Sequence, residues 1–225
     1  KVHLALTERH TGERLIEAET FVARKDVLVT RLHQKNIGLL ERVKLVYPEC
    51  RDQSAPEVTY VQIDAHTFAY RVHMLLSGTK PFDFAGILHL SGASGSLENN
   101  EITICEAGND IILMTGIFTE WRHKDPLQEG ISKMEAYVAS MDALEKEHRC
   151  YWQEFFGRSG ICIPDKFLER VYYINQYALD CSSGRDGVMK HHACGLNGLW
   201  DIRHPNLWGS RWYWDVNIQA AFAGV

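Results

Sequence analysis

The chain has 225 residues, 45% of them hydrophobic and 24% charged, with a net charge of −5. That proportion supplies a full-sized core and excludes a disordered chain. The charge is spread along the sequence without a basic block, which excludes the footprint of a nucleic-acid partner, and no apolar run approaches the ~18 residues of a membrane-spanning helix, so no membrane partner is expected.

Up to about Arg122 the texture is that of β-strands. In "DVLVTRLH", Leu28, Thr30 and Leu32 alternate onto one face, with Val27, Val29 and Arg31 on the other. "VTYVQIDAHTFAYRVHMLL" gives a pair of runs rich in β-branched and aromatic residues. "FAGILHL", "EITICEA" and "DIILMTGIF" follow, separated by the turn clusters "SGASGSLENN" and "AGND". Short strands with Gly, Asn and Asp turns predict an antiparallel β-sandwich over residues 1–122.

The period then changes. Ile131, Met134, Val138, Met141, Leu144 and Tyr151 recur at three-, four- and seven-residue steps, which predicts one amphipathic linker helix of six or seven turns within residues 123–160. Glu145, Glu147 and Glu154 fall on its solvated face. Pro164 opens a second helix whose buried stripe is Phe167, Leu168, Val171, Ile174, Ala178 and Leu179, and "CSSGRDG" ends it. Met189–Ser210 reads as a long loop rich in Gly, His, Pro and Trp, a feature that inside a compact domain usually carries function. From about Tyr213 the pattern is helical again, and residues 161–225 form the last division.

Six cysteines (Cys50, Cys105, Cys150, Cys162, Cys181, Cys194) are scattered, with no C-x-x-C pair. The spacing argues against zinc and favours a reducing, cytoplasmic location, with a secreted protein carrying three disulfides as the other reading. The chain opens at Lys1 without Met and stops at Val225 in an apolar, helix-like run, so a segment of a longer protein is expected.

Chemistry concentrates near the end. Four of the six tryptophans, Trp200, Trp208, Trp212 and Trp214, fall within fifteen residues, beside Asp201, Asp215, Asn217 and Gln219. Indole faces match the C–H faces of a pyranose, and short polar groups hydrogen-bond its hydroxyls in directed pairs. At helical spacing Asp215 and Gln219 share a face; in extended backbone Asp215 and Asn217 point the same way. The plainer reading is a tryptophan core with Asp215 as a helix N-cap. His191 and His192 are adjacent, so their side chains diverge, and no third ligand is evident. No metal and no cofactor are therefore expected, and His192 is a sugar-contact candidate instead. Ser182 and Ser183 lack the G-x-S-x-G setting of a nucleophile elbow, and "SGASG" has no following helix that would make it a phosphate loop.

The region "ALDCSSGRDGVMKHHACGLNGLWD…NLWGSRWYWDVNIQ" resembles the signature of glycoside hydrolase family 95, the inverting α-L-fucosidases and α-L-galactosidases, which carry "SSRPG…NLQGIWN" and then "PPWGSxYxxNINxQMNYW". Ser182 and Ser183 fit the serines; Leu196, Gly198 and Trp200 fit the Leu, Gly and Trp; Trp208, Gly209 and Ser210 fit "WGS". Asn217 fits the second Asn of "NIN", and Gln219 fits the Gln that follows. Upstream, "EAETFVARKDVLVTRL" is similar to "REYFxSxPDxVxVxRL" and "NDIILMTGIFTEW" to "ADEVTLLLAAATSF". Asp215 stands where the family has the first Asn, Gly195 and Asn197 replace the Asn and Gln of "NLQG", and "AAFA" replaces "MNYW".

The resemblance implies a β-sandwich, linking helices and the first helices of an (α/α)6 barrel. It also implies an inverting exo-glycosidase that takes a terminal sugar from a glycan substrate. Asn217 carries over as the water-positioning residue, and Asp215, a carboxylate where the family has an amide, is the candidate base. Trp200, Trp208, Trp212, Trp214, Gln219 and His192 are candidate substrate contacts. The family's general acid, a glutamate, has no match between Lys1 and Val225, so the isolated segment is expected to be inactive and poorly stable. Two other readings stand beside this one. A sandwich-plus-barrel phosphorylase would need an anion site, for which Arg203, His204 and Arg211 are the available groups. A carbohydrate-binding module would keep the pocket without the chemistry.

Overall fold

The structure, a computed structural model, describes residues 1–23, 27–46, 56–74, 80–183, 213 and 215–221. The chain divides into two compact units, Lys1–Glu49 with Gln53–Trp152, and Cys50–Asp52 with Gln153–Val225.

The first unit is an antiparallel sheet followed by helices. Its strands are β1 (Val2–Thr7), β2 (Arg14–Ala23), β3 (Val27–Gln34), β4 (Arg42–Lys44), β5 (Glu57–Gln62), β6 (Thr67–Met74), β7 (Phe82–Glu98) and β8 (Glu101–Thr119). They pair in the order β1-β2-β3-β8-β7-β6-β5, with β4 on β8. The alternation in β3 sets the faces as expected: Val27 and Val29 are fully buried, whereas Leu28 is 41% exposed.

β7 and β8 run straight through the stretches read as turns. Only Asn99 and Asn100 of "SGASGSLENN" turn the chain, with Asn99 at φ 55°, the left-handed conformation a two-residue hairpin demands. The register shifts between Ser91 and Ala93 and again between Ser94 and Gly95. Small residues that signal a loop here serve a bulged, close-packed strand pair.

Each face of the sheet carries a core. On one, Phe21, Val27, Val29, Ile87, Met114 and Phe118 pack with Met134 and Leu144 from the helices α1 (Pro126–Ala139) and α2 (Met141–Arg158). On the other, Phe68, Leu88, Leu90 and Ile111 meet Ala93 and Ile102 from the bulged ends of β7 and β8, together with Leu45 beyond β4.

The single linker helix expected from the periodicity is in fact two. Ser140 leaves the helix at φ −120°, ψ 26°, donating its N–H to the Tyr137 carbonyl and its hydroxyl to the Ala136 carbonyl at 2.7 Å. The apolar steps continue across the break because Met134 and Leu144 serve the same core. At the start of α1, Asp125 accepts from the N–H groups of Leu127 and Gln128, and Glu129 reaches back to Lys124 and Asp125.

In the second unit α3 (Lys166–Ser183) begins two residues after Pro164, with Asp165 accepting from the N–H groups of Phe167 and Leu168. The stripe expected to be buried on it is open over its first part, where Phe167, Leu168, Val171 and Ile174 are exposed, and half-buried at Ala178 and Leu179.

Candidate active site

The helix α4 (Val216–Ala221) places the best-defined part of the candidate site. Asp215 is the turn residue that enters it and is exposed; Asn217 is half-buried in its first turn; Gln219 is exposed. Of the two geometries open in the sequence, the helical one holds from Val216 onward. Asn217 and Gln219, two residues apart, then face different sides, as their unequal exposure reflects. Water reaches Asp215, so its carboxylate is available to a solute.

The other residues named for the site, His192, Trp200, Trp208, Trp212 and Trp214, lie outside the described residues, as do Leu196, Gly198, Gly209 and Ser210. The serines of the matched motif are described. Ser182 and Ser183 fall in the last turn of α3, and Ser182 is half-buried. One turn earlier, burial and then the neighbouring Cys181 push the Tyr177 phenol up to about 12, and burial pushes the Cys181 thiol up as well. Both groups are therefore neutral near pH 7, and this end of α3 offers hydrogen bonds rather than charge. Its other end is held by Glu169, whose carboxyl accepts from Lys166 Nζ at 2.8 Å and from the Ile163 N–H at 2.9 Å and is lowered by both. The Tyr173 hydroxyl donates to the Ile161 carbonyl at 3.0 Å.

A second polar assembly was not anticipated. A shallow concavity of about 730 Å³ lies over β1, β2, β3 and β8, lined by Lys1, His3, Glu19, Arg31 and His33 among others. Beside it Glu145, read from the sequence as solvated, has only 13% of its side chain exposed. It bonds Arg31 at 2.6 Å, Lys1 at 2.7 Å and Arg149 at 2.7 Å. Arg31 and then Lys1 hold its carboxyl down at about 2. The available signal was Arg31 itself: a cation alternating onto the buried Val27/Val29 face needs a partner. Lys1, Glu19, Arg31 and Glu145 satisfy one another, and the assembly anchors α2 to the sheet. Among the described residues, no three His, Cys, Asp or Glu side chains converge as a metal site would require.

Compared with known proteins, the chain matches no family model and no curated protein.

Proposed function

We propose that this chain carries the first part of the catalytic domain of an inverting exo-glycoside hydrolase. Its substrate would be a glycan ending in a sugar of the α-L-fucose or α-L-galactose kind. The observation that carries the reading is the run of matched residues from Ser182 to Gln219, which closes on a water-accessible Asp215 two positions before a half-buried Asn217.

The chemistry follows from what an amide cannot do. A protonated amide is very acidic, so asparagine orients a water molecule but does not take its proton. A carboxylate does. Asn217 therefore holds the water, Asp215 accepts its proton, and the water oxygen attacks the anomeric carbon as the glycosidic C–O bond breaks. A glutamic acid outside these 225 residues protonates the leaving oxygen, ~6.5–9.5 Å from the base across the sugar ring. Trp200, Trp208, Trp212 and Trp214 supply stacking walls, and Gln219 and His192 bind hydroxyls. No metal or cofactor takes part.

The finer architecture belongs to the same proposal. The sheet is one layer of a β-sandwich in residues 1–122, residues 123–160 link, and α3 and α4 are early helices of an (α/α)6 barrel in residues 161–225. The exposed apolar stripe of α3 supports this, because a barrel helix turns such a stripe toward its neighbours. No helix among the described residues is long and apolar enough to cross a membrane; a cytoplasmic location is proposed from the unpaired cysteines Cys105, Cys150, Cys162 and Cys181.

The test is turnover of nitrophenyl α-L-fucoside and α-L-galactoside by the full-length enzyme, with the anomer of the released sugar read by NMR. The expected product is the inverted sugar. Asp215→Asn is expected to lower kcat by ~10²–10⁴-fold, and Asn217→Ala to lower it with little change in KM. Retention of the rate within about tenfold in Asp215→Asn removes the base role, and no turnover of any glycoside in a broad panel removes the hydrolase.

A further inference from the structure

The charged groups of the concavity over β1, β2, β3 and β8 fall into two sets. Near α2, Lys1, Glu19 and Arg31 close on Glu145 and fasten the helix. One step further along the strands, the register aligns Ala5 with Glu17, Glu17 with His33, and His33 with Asp110, a row that crosses all four strands on one face. All four residues are exposed, as is Arg14 beside them. Each charged group in this set is tethered once. Arg14 Nη1 donates to Glu17 Oε1 at 2.9 Å, and His33 Nδ1 to Asp110 Oδ1 at 2.7 Å. Among the described residues, Glu17 Oε2, Asp110 Oδ2, His33 Nε2 and the other N–H groups of Arg14 make no hydrogen bond.

We propose that this row binds a neutral saccharide, in a site made wholly by the first unit and independent of the hydrolase reading. Charge is the first argument. Around the concavity Lys1, Arg14 and Arg31 balance Glu17, Glu19 and Asp110. A fixed anion would face three carboxylates there, and a fixed cation three cations. The second is hydrogen bonding. The unused atoms include acceptors, on the carboxylates, and donors, on the guanidinium, and a hydroxyl is the neutral group that serves both. Vicinal hydroxyls can also donate as a pair to one carboxylate, in bonds that the charge strengthens. A hexose carries several such groups, whereas a peptide carries one donor and one acceptor per backbone unit. Because the single tethers already hold these side chains, less rotamer freedom is lost on binding. The third is shape. Ala5 leaves a gap in the row at β1, and half-buried Ile112, opposite Arg31 in the neighbouring row, adds apolar surface for the C–H face of a ring. The polar positions repeat at the ~4.8 Å spacing of strands, close to the advance of one hexose along an extended glycan. A volume of about 730 Å³ admits a short oligosaccharide.

The experiment is NMR titration of the 225-residue chain with maltotriose, cellotriose and 2′-fucosyllactose up to about 20 mM. It reads the imidazole resonances of His33, which His33→Gln assigns. The expected result is saturable movement of these signals by at least one trisaccharide, with a millimolar Kd. Glu17→Gln combined with Asp110→Asn should raise that Kd at least ~tenfold, since two charge-assisted hydrogen bonds are weakened. Ala5→Trp, which fills the gap from an exposed edge position, should abolish binding; circular dichroism checks the fold of both. Asp215→Asn should leave the Kd unchanged, so that this site and the hydrolase are tested separately. Signals unmoved by all three sugars overturn the site. So does a Kd that either sheet variant leaves unchanged, or binding lost in Asp215→Asn. Inorganic phosphate, spermidine or trialanine moving the same signals at a lower Kd than any sugar overturns the saccharide in favour of an anion, a cation or a peptide.

Discussion

Single residues carry the strain and the pairing that allow this sheet to form. Gly92 sits at φ +78°, and a Cβ there would lie 2.3 Å from the Asp110 carbonyl oxygen across the β7–β8 bulge. Both the left-handed backbone and the close approach require glycine, so Gly92→Ala is expected to destabilise the fold by ~2 kcal/mol or more, measured as a lowered urea midpoint with an unchanged m-value. A loss below ~0.5 kcal/mol would mean that the bulge relaxes without it. The requirement was invisible in the sequence, where "SGASG" is indistinguishable from a turn, because glycine marks a loop and a close-packed bulge alike. Arg31 was legible in part. Its alternation with Val27 and Val29 was plain, but its partner Glu145 lies 114 positions away, and no local period reports a contact of that range. At the candidate site the residue types were legible and the backbone was not: the same six residues from Asp215 admit an extended or a helical reading until α4 is seen.

At the scale of elements, α1 and α2 show what periodicity reports and what it omits. The apolar steps from Ile131 to Tyr151 correctly gave a helical face packed on a core, yet they passed over the break at Ser140, since both helices feed the same cluster. Beside Leu144, α2 is also tied down by polar contacts, which are sensitive to pH. His148 is 8% exposed, donates from Nδ1 to the Val22 carbonyl at 2.9 Å and packs against the Phe21 ring at 4.9 Å. Burial lowers its pKa from 6.5, so its contribution is whole above pH 6.5 and is lost as pH falls through the lowered value. Glu145, lowered from 4.5 to about 2 by Arg31 and then Lys1, contributes fully above pH 4.5, and that contribution is lost as pH falls toward 2. The midpoint of thermal unfolding should therefore fall in two steps between pH 7 and 2.5. His148→Gln, whose amide can still donate to Val22, should flatten the upper step, and Glu145→Gln the lower one. An unaltered pH profile in Glu145→Gln would remove the ion cluster as the anchor of α2.

For the whole molecule, the order of sheet first and helices second followed directly from a change of period from two to 3.6 near Arg122. The covering of faces did not, because burial depends on what lies opposite, and a sequence pattern names an apolar face without naming its neighbour. That is why the stripe of α3 was expected to be buried, yet Phe167, Leu168, Val171 and Ile174 are exposed. By contrast, among the described residues the buried members of both cores all come from the strands, the segment beyond β4, α1 and the first turn of α2. The polar anchor of α2 is also made by His148 and Glu145, before the end of that helix at Arg158. A chain ending at residue 158 therefore keeps these described contacts of the first unit, and it should unfold in one cooperative transition, as a domain of this size with its own core does. Two measurements check this: a single sigmoidal loss of β signal in circular dichroism on heating, and the same two-step pH dependence as in the 225-residue chain. A broad, non-cooperative melt would show that residues 159–225 are needed to order the sheet. Retained cooperativity without the acid step would show that they act through Glu145 instead.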